Sequence, residues 1–134
     1  MAKSLTKVFV YGTLKPGEGN YQRLCVGKVV EEKEAYTFGE LYDLNPGYPG
    51  LTPGRNKVRG FILTFPEPEI LRDLDYLEDY NPQAPLEENE YYRQEIETYD
   101  LSGESLGAAW VYLMTWAKVK QYQGRLLGSG FWHS

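Results

Sequence analysis

Apolar positions fall into short blocks separated by Gly- and Pro-rich joints. Val8-Phe9-Val10-Tyr11 opens the pattern as a strand, rich in β-branched and aromatic residues, and stops at Gly12. Thr13 to Asn20 follows as a loop by its Pro and Gly content, and Tyr21 to Val26 fits a short helical turn. Val29 to Tyr36 and Phe38 to Leu44 read as strands, with Gly39 marking a bulge. Asn45 to Gly54 carries three prolines and three glycines and predicts a stiff loop, since each Pro fixes its own φ. Val58 to Phe65 is a further strand. Tyr91 to Tyr99 and Leu106 to Met114 form a hairpin around the turn at Ser102-Gly103. The polar stretch Gln83 to Glu90 is an acidic loop, and Lys118 to Ser134 shows no assignable pattern.

One segment switches to the helical period. Pro66-Glu67-Pro68-Glu69 is a helix start, and the helix runs from about Glu69 to about Asp79, where Asn81-Pro82 ends it. With Ile70 at zero and about 100° per residue, Leu71, Leu74 and Leu77 fall at about 100°, 40° and 340°, a stripe that faces the core. Glu78 falls at about 80°, inside that stripe and at the negative end of the helix, while Asp75 falls at its margin. Desolvation and the helix dipole both raise the pKa of a carboxyl so placed, which suits it to accept and donate protons. Two plainer readings compete. The last turn frays and Glu78 reaches water, or Glu78 pairs with Arg72, Arg93 or Arg125. On the hairpin, alternation sets Trp110, Tyr112 and Met114 on one face and Ala109, Val111 and Leu113 on the other. Tyr112 then either lines a pocket or is a core aromatic.

Strands of this length beside a single main helix imply an α+β fold in which five or six strands close into a small barrel or a strongly curved mixed sheet. The 134 residues fit one domain, 1–134. The formal charge of −5 argues against nonspecific nucleic-acid binding and against docking on anionic membrane. Residues 1–7 lack the apolar core of a signal peptide, and Ala108 to Ala117 is too short to span a bilayer, so a cytoplasmic location is expected. A single cysteine, Cys25, excludes an internal disulfide. With one histidine, His133, neither a multi-ligand zinc site nor a Ser-His-Asp arrangement finds its parts, so no metal or cofactor is expected. Proton transfer falls to carboxylates, Tyr or Lys.

Tyr11-Gly12-Thr13-Leu14 leaves its strand directly. Backbone N–H groups in such a turn can form a concave anion site without any Lys or Arg, although an ordinary strand exit has the same composition. No Gly-Lys-Ser/Thr follows, so it is not a phosphate-binding Walker loop.

These groups, taken in order from Val8 to Met114, resemble the γ-glutamylcyclotransferase-like (AIG2-like) family. The similarity rests on Tyr11-Gly12-Thr13-Leu14 after its strand, Tyr48-Pro49-Gly50-Leu51, Leu74-Asp75 ahead of Glu78, Tyr92-Arg93, and Trp110-Val111-Tyr112. The resemblance implies a small mixed β-barrel of five to seven strands with one main helix. It also implies cyclisation of a γ-glutamyl group to 5-oxoproline with release of an amine or amino acid. Glu78 would be the general acid/base, Tyr11, Gly12, Thr13 and Leu14 would hold the glutamyl moiety through their backbone, and Tyr112 would reach the ligand. The partner expected is thus a small γ-glutamyl compound. The chain departs from the family pattern at Asp79, where Gly is common, at Lys15, where Arg is frequent, and at Asn81 to Asn89, which looks like an insertion. Two other readings are a binding module for small carboxylates without turnover, and a protein-interaction domain using exposed Tyr and the acidic loop.

Overall fold

The computed structural model describes residues 5–25 and 27–132. His133 and Val26 lie outside the described residues. Six strands form one sheet: β1 (Thr6–Val10), β2 (Glu31–Asp43), β3 (Pro49–Phe65), β4 (Tyr92–Tyr99), β5 (Ser105–Leu113) and β6 (Arg125–Leu126). Their order is β3-β1-β5-β4-β2-β6, and a further pairing of β3 with β2 closes five of them into a barrel, with β6 added at β2. β1 and β5 run parallel while the other pairs are antiparallel, so the barrel is mixed. Among the described residues three α-helices accompany it, α1 (Gly19–Leu24), α2 (Ile70–Leu77) and α3 (Trp116–Gln121), with a short 3-10 turn at Leu86–Glu88.

Strand alternation divides the apolar residues between two cores. Phe9, Tyr11, Leu51, Ile62, Ala109, Val111 and Leu113 fill the barrel interior. Val8, Val10, Leu63, Phe65, Tyr112 and Met114 face outward and are covered by helix. The sequence expectation for β5 is met residue by residue, because a period of two forces neighbours onto opposite faces. Helix α2 uses the expected stripe: Ile70 and Leu74 are buried, and Leu71 and Leu77 pack against the same outer core. An eight-residue helix is unstable alone. Burial of Ile70 and Leu74, about 2 kcal/mol each, is what holds it on the barrel.

Two expectations are corrected and one unassigned segment is filled. The two strands expected at 29–44 are one strand, β2, whose register shifts between Gly39 and Glu40 at the expected bulge. The stiff loop 45–54 is shorter than expected, for Pro49 to Gly54 begin β3. Pro49 is the first residue of its strand, and Pro53 lies in the stretch of β3 that the register shift leaves unmatched between Thr52 and Asn56. At neither place does the ladder need an N–H donor. The unassigned segment holds α3 and β6, then Trp132, which is buried in the barrel interior with its Nε1 donating to Asp43 Oδ1 at 3.1 Å.

Candidate active site

The carboxyl-terminal end of α2, the loop after β1 and the outer face of β5 enclose a cavity of about 280 Å³. Gly12, Thr13, Leu14, Glu78 and Tyr112 all line it, and so does Tyr11. The structure therefore brings together the six residues expected at the site, Tyr11, Gly12, Thr13, Leu14, Glu78 and Tyr112. Glu90, Tyr48 and Tyr91 line the same cavity. Tyr48 carries a signal, its place in the Tyr-Pro-Gly-Leu stretch, whereas Glu90 reads as part of a solvated acidic loop and has none.

Glu78 caps α2. Its N–H donates to the carbonyl of Leu74, and its side chain is half-buried. Asp79 follows with φ at 53°, in the left-handed region. The N–H of Asp79 donates to Tyr76 O (3.3 Å) and that of Tyr80 to Asp75 O (2.9 Å), the paired bonds that close a helix through a left-handed residue. Glycine adopts this conformation without penalty, which accounts physically for a Gly in the family pattern, and Asp tolerates it better than most. Asp79→Gly is expected to stabilise the protein by about 0.5–1 kcal/mol and to leave turnover intact, as read by urea denaturation beside an activity assay.

The carboxyl of Glu78 has no hydrogen-bond or ion-pair partner among the described residues. The arginines expected to compete for it are engaged elsewhere or apart from it. Arg93 grips Asp75 through two bonds, Nε to Oδ1 at 2.8 Å and Nη2 to Oδ2 at 3.2 Å. Arg125 faces Asp43 at 3.4 Å, and Arg72 is exposed. Arg93 and Tyr112 are direct partners across β4 and β5, and both meet Asp75, to which the Tyr112 hydroxyl donates at 2.6 Å. This clamp, with the Arg93 guanidinium 4.6 Å from the Trp110 ring centre, ties α2 to the barrel and keeps the cation away from Glu78. Burial, and secondarily the negative charge of Glu90, push the Glu78 carboxyl up to about 7.

Glu90 is itself held by phenols. Tyr122 Oη donates to its carboxylate, with 2.6 and 2.8 Å to the two oxygens, and Tyr48 Oη lies 3.4 Å from one of them. Hydrogen bonding to Glu90 and then burial raise the Tyr122 phenol, so it stays a donor at neutral pH. The preceding loop is fixed by Asn89, which accepts from Asn81 N and donates to the carbonyls of Asn81 and Pro85.

At the other wall, Gly12 packs against Pro49. A Cβ at Gly12 would lie 2.6 Å from Pro49 Cγ, so the close approach, rather than an unusual φ, demands glycine. The Pro49 carbonyl in turn accepts from Tyr91 Oη at 2.6 Å. The loop is pinned by Lys15 N to Gly12 O (3.0 Å), by Asn20 Nδ2 to Thr13 Oγ1 (2.7 Å), and by the buried Lys15, whose Nζ donates to the Trp132 carbonyl. Among the described residues, the N–H groups of Gly12, Thr13 and Leu14 donate to no backbone acceptor. The Tyr11 ring belongs to the barrel interior and its hydroxyl donates to the carbonyl of Tyr112, so Tyr11 meets the cavity beside its ring's own packing site. Gly12→Ala is expected to displace the Pro49 ring or the loop and to cost about 1–3 kcal/mol, measurable as a lowered denaturation midpoint.

The Cys25 thiol is buried in the outer core, away from the cavity lining, and burial pushes it up to about 11. No group of three or more His, Cys, Asp or Glu among the described residues is placed to hold a metal ion. No helix among them is long and apolar enough to cross a membrane.

Residues 8–134 match the family described as Gamma-glutamyl cyclotransferase, AIG2-like. The chain belongs to this family. A Vibrio cholerae protein that carries a gamma-glutamylcyclotransferase name is 39% identical over 106 residues, 79% of each chain. The Niallia circulans gamma-L-glutamyl-butirosin B gamma-glutamyl cyclotransferase is 32% identical over 108 residues, 81% of this chain and 67% of that one. Among solved structures, a mouse AIG2-like protein superposes with a TM-score of 0.73 at 24% identity, covering 96% of this chain and 88% of that one, a likeness of fold. The AIG2-like membership accords with the mixed barrel carrying one main helix.

Proposed function

We propose that this AIG2-like chain cyclises the γ-glutamyl group of a small amine, amino acid or peptide conjugate to 5-oxoproline, with Glu78 as general acid/base. The observation that carries the reading is an unpaired carboxyl poised near neutrality in a cavity whose opposite wall offers unpartnered N–H groups. The Niallia circulans relative is named for a γ-glutamyl conjugate, which supports the same bond as the target here.

The substrate supplies its own nucleophile. Its α-nitrogen attacks its γ-carbonyl carbon, the ring C–N bond forms, and the C–N bond to the departing amine breaks. Holding the chain folded accounts for much of the rate gain, because the attack is intramolecular. The α-ammonium gives up two protons, one before attack and one after, and keeps the third on the lactam nitrogen. The departing nitrogen gains two and leaves as an ammonium. One carboxyl can carry both in turn if its pKa lies near the working pH. The backbone at Gly12, Thr13 and Leu14 holds the α-carboxylate, and Asp75, Arg93 and Tyr112 keep the end of α2 in place.

A panel of γ-glutamyl compounds, read by 5-oxoproline release, tests the proposal. Release from at least one compound, lost in Glu78→Gln, is the expected result. Stabilisation by ligands without product across the whole panel would point instead to a binding module.

A further inference from the structure

Glu90 has no task in the cyclisation as drawn, yet it is built into the cavity with care. The Asn81–Asn89 clasp closes the loop before it, Tyr122 donates to its carboxylate, and Tyr48 stands beside it. A carboxylate has about four lone-pair sites, so these phenols leave room for a further donor. Tyr122 does not line the cavity, and Glu90 therefore spans from the cavity wall to a residue outside it. Glu78, Asp79 and Glu90 line the cavity, and no Lys or Arg among the described residues does. An anionic guest group beside Glu90 would meet like charge with nothing to offset it, and a neutral one would leave a partly desolvated carboxylate without a cation.

The α-ammonium of a γ-glutamyl substrate is not the cation that Glu90 lacks. It must lie against Glu78, which takes its proton, and its carbon also bears the carboxylate assigned to the Gly12–Leu14 backbone. The free position is on the departing side. We infer that Glu90 selects γ-glutamyl conjugates whose departing amine carries a second positive charge, an alkyl ammonium within reach of the Glu90 carboxylate. This rests on the cyclisation reading of the same cavity.

Three conjugates of equal length separate the terms: γ-glutamyl derivatives of 1,5-diaminopentane, hexylamine and 5-aminopentanoate, which present a cation, a methyl group and an anion. They are compared in wild type and Glu90→Gln at pH 8.5, above the Glu78 titration, so that protonation of Glu78 does not differ between the proteins. Wild type is expected to favour the cation over the methyl group by about tenfold in kcat/KM and to disfavour the anion by a similar factor, and both ratios are expected to shrink toward one in Glu90→Gln. A merely structural role for Glu90, or a role toward the α-ammonium, would lower all three conjugates alike and leave the ratios unchanged. Added salt gives the same contrast without any variant, because it compresses a ratio that arises from charge. Equal kcat/KM on all three conjugates in wild type, or ratios unchanged in Glu90→Gln, would overturn the assignment while leaving cyclisation standing. No 5-oxoproline from any conjugate, in a panel that includes neutral and anionic γ-glutamyl compounds, would overturn the cyclisation reading and this inference with it.

Discussion

Glu78→Gln is expected to lower 5-oxoproline release by about 10²–10⁴-fold in kcat, the usual worth of a positioned general acid/base. The substitution keeps the shape of the side chain and removes only its proton chemistry. KM is expected to change little, because the backbone of Gly12, Thr13 and Leu14 holds the glutamyl end in the proposed complex. The pH profile carries the same signature. Glu78 must begin ionised to take a proton from the α-ammonium, and burial with the Glu90 charge pushes it up to about 7. In wild type kcat/KM should therefore rise about tenfold per pH unit below neutrality and level off above it. A Glu78→Gln protein that matched wild type in turnover would remove Glu78 from the chemistry.

The second large effect is on stability, and it has the opposite sign for the same residue. A carboxyl whose pKa is raised in the folded state binds its proton more tightly there than in the unfolded chain. Its contribution is complete below the unfolded value of 4.5 and is lost as pH rises through about 7. The loss amounts to roughly 3 kcal/mol, the free energy of a shift of about 2.5 pH units. Above neutrality wild type carries an uncompensated charge in the cavity, and Glu78→Gln does not. The variant should then gain roughly 3 kcal/mol over wild type between pH 4 and pH 8, about 10 °C in Tm for a chain this size. Melting both proteins across that range checks it. Parallel curves would mean that Glu78 is solvated or paired.

The two effects together explain why such a residue announces itself in the sequence. The stripe Ile70, Leu71, Leu74 and Leu77 is a local period, and Glu78 within it breaks the apolar pattern at a cost to the fold. The alternation of Trp110, Tyr112 and Met114 against Ala109, Val111 and Leu113 is equally local, and it separates the outer core from the barrel interior. What could not be read was set by partners distant in the chain. Pro49 to Gly54 looks like a loop because Pro and Gly are poor strand formers, yet pairing of Pro49 to Thr52 with Glu40 to Asp43 makes it the start of a long ribbon. Glu90 looks solvated until Tyr122, 32 positions on, closes over its carboxylate. Trp132 finds the barrel interior across 89 residues from Asp43. Local periods reveal faces, whereas the place of Glu90 in the cavity wall is a product of tertiary closure.

Carbon-13 NMR titration of the Glu78 side-chain carboxyl addresses the central claim most directly. A midpoint near 7, falling in Glu90→Gln as the neighbouring charge is removed, is the result that the account predicts. A midpoint near the ordinary 4.5, insensitive to Glu90, would contradict it, since a carboxyl so easily ionised is either solvated or paired.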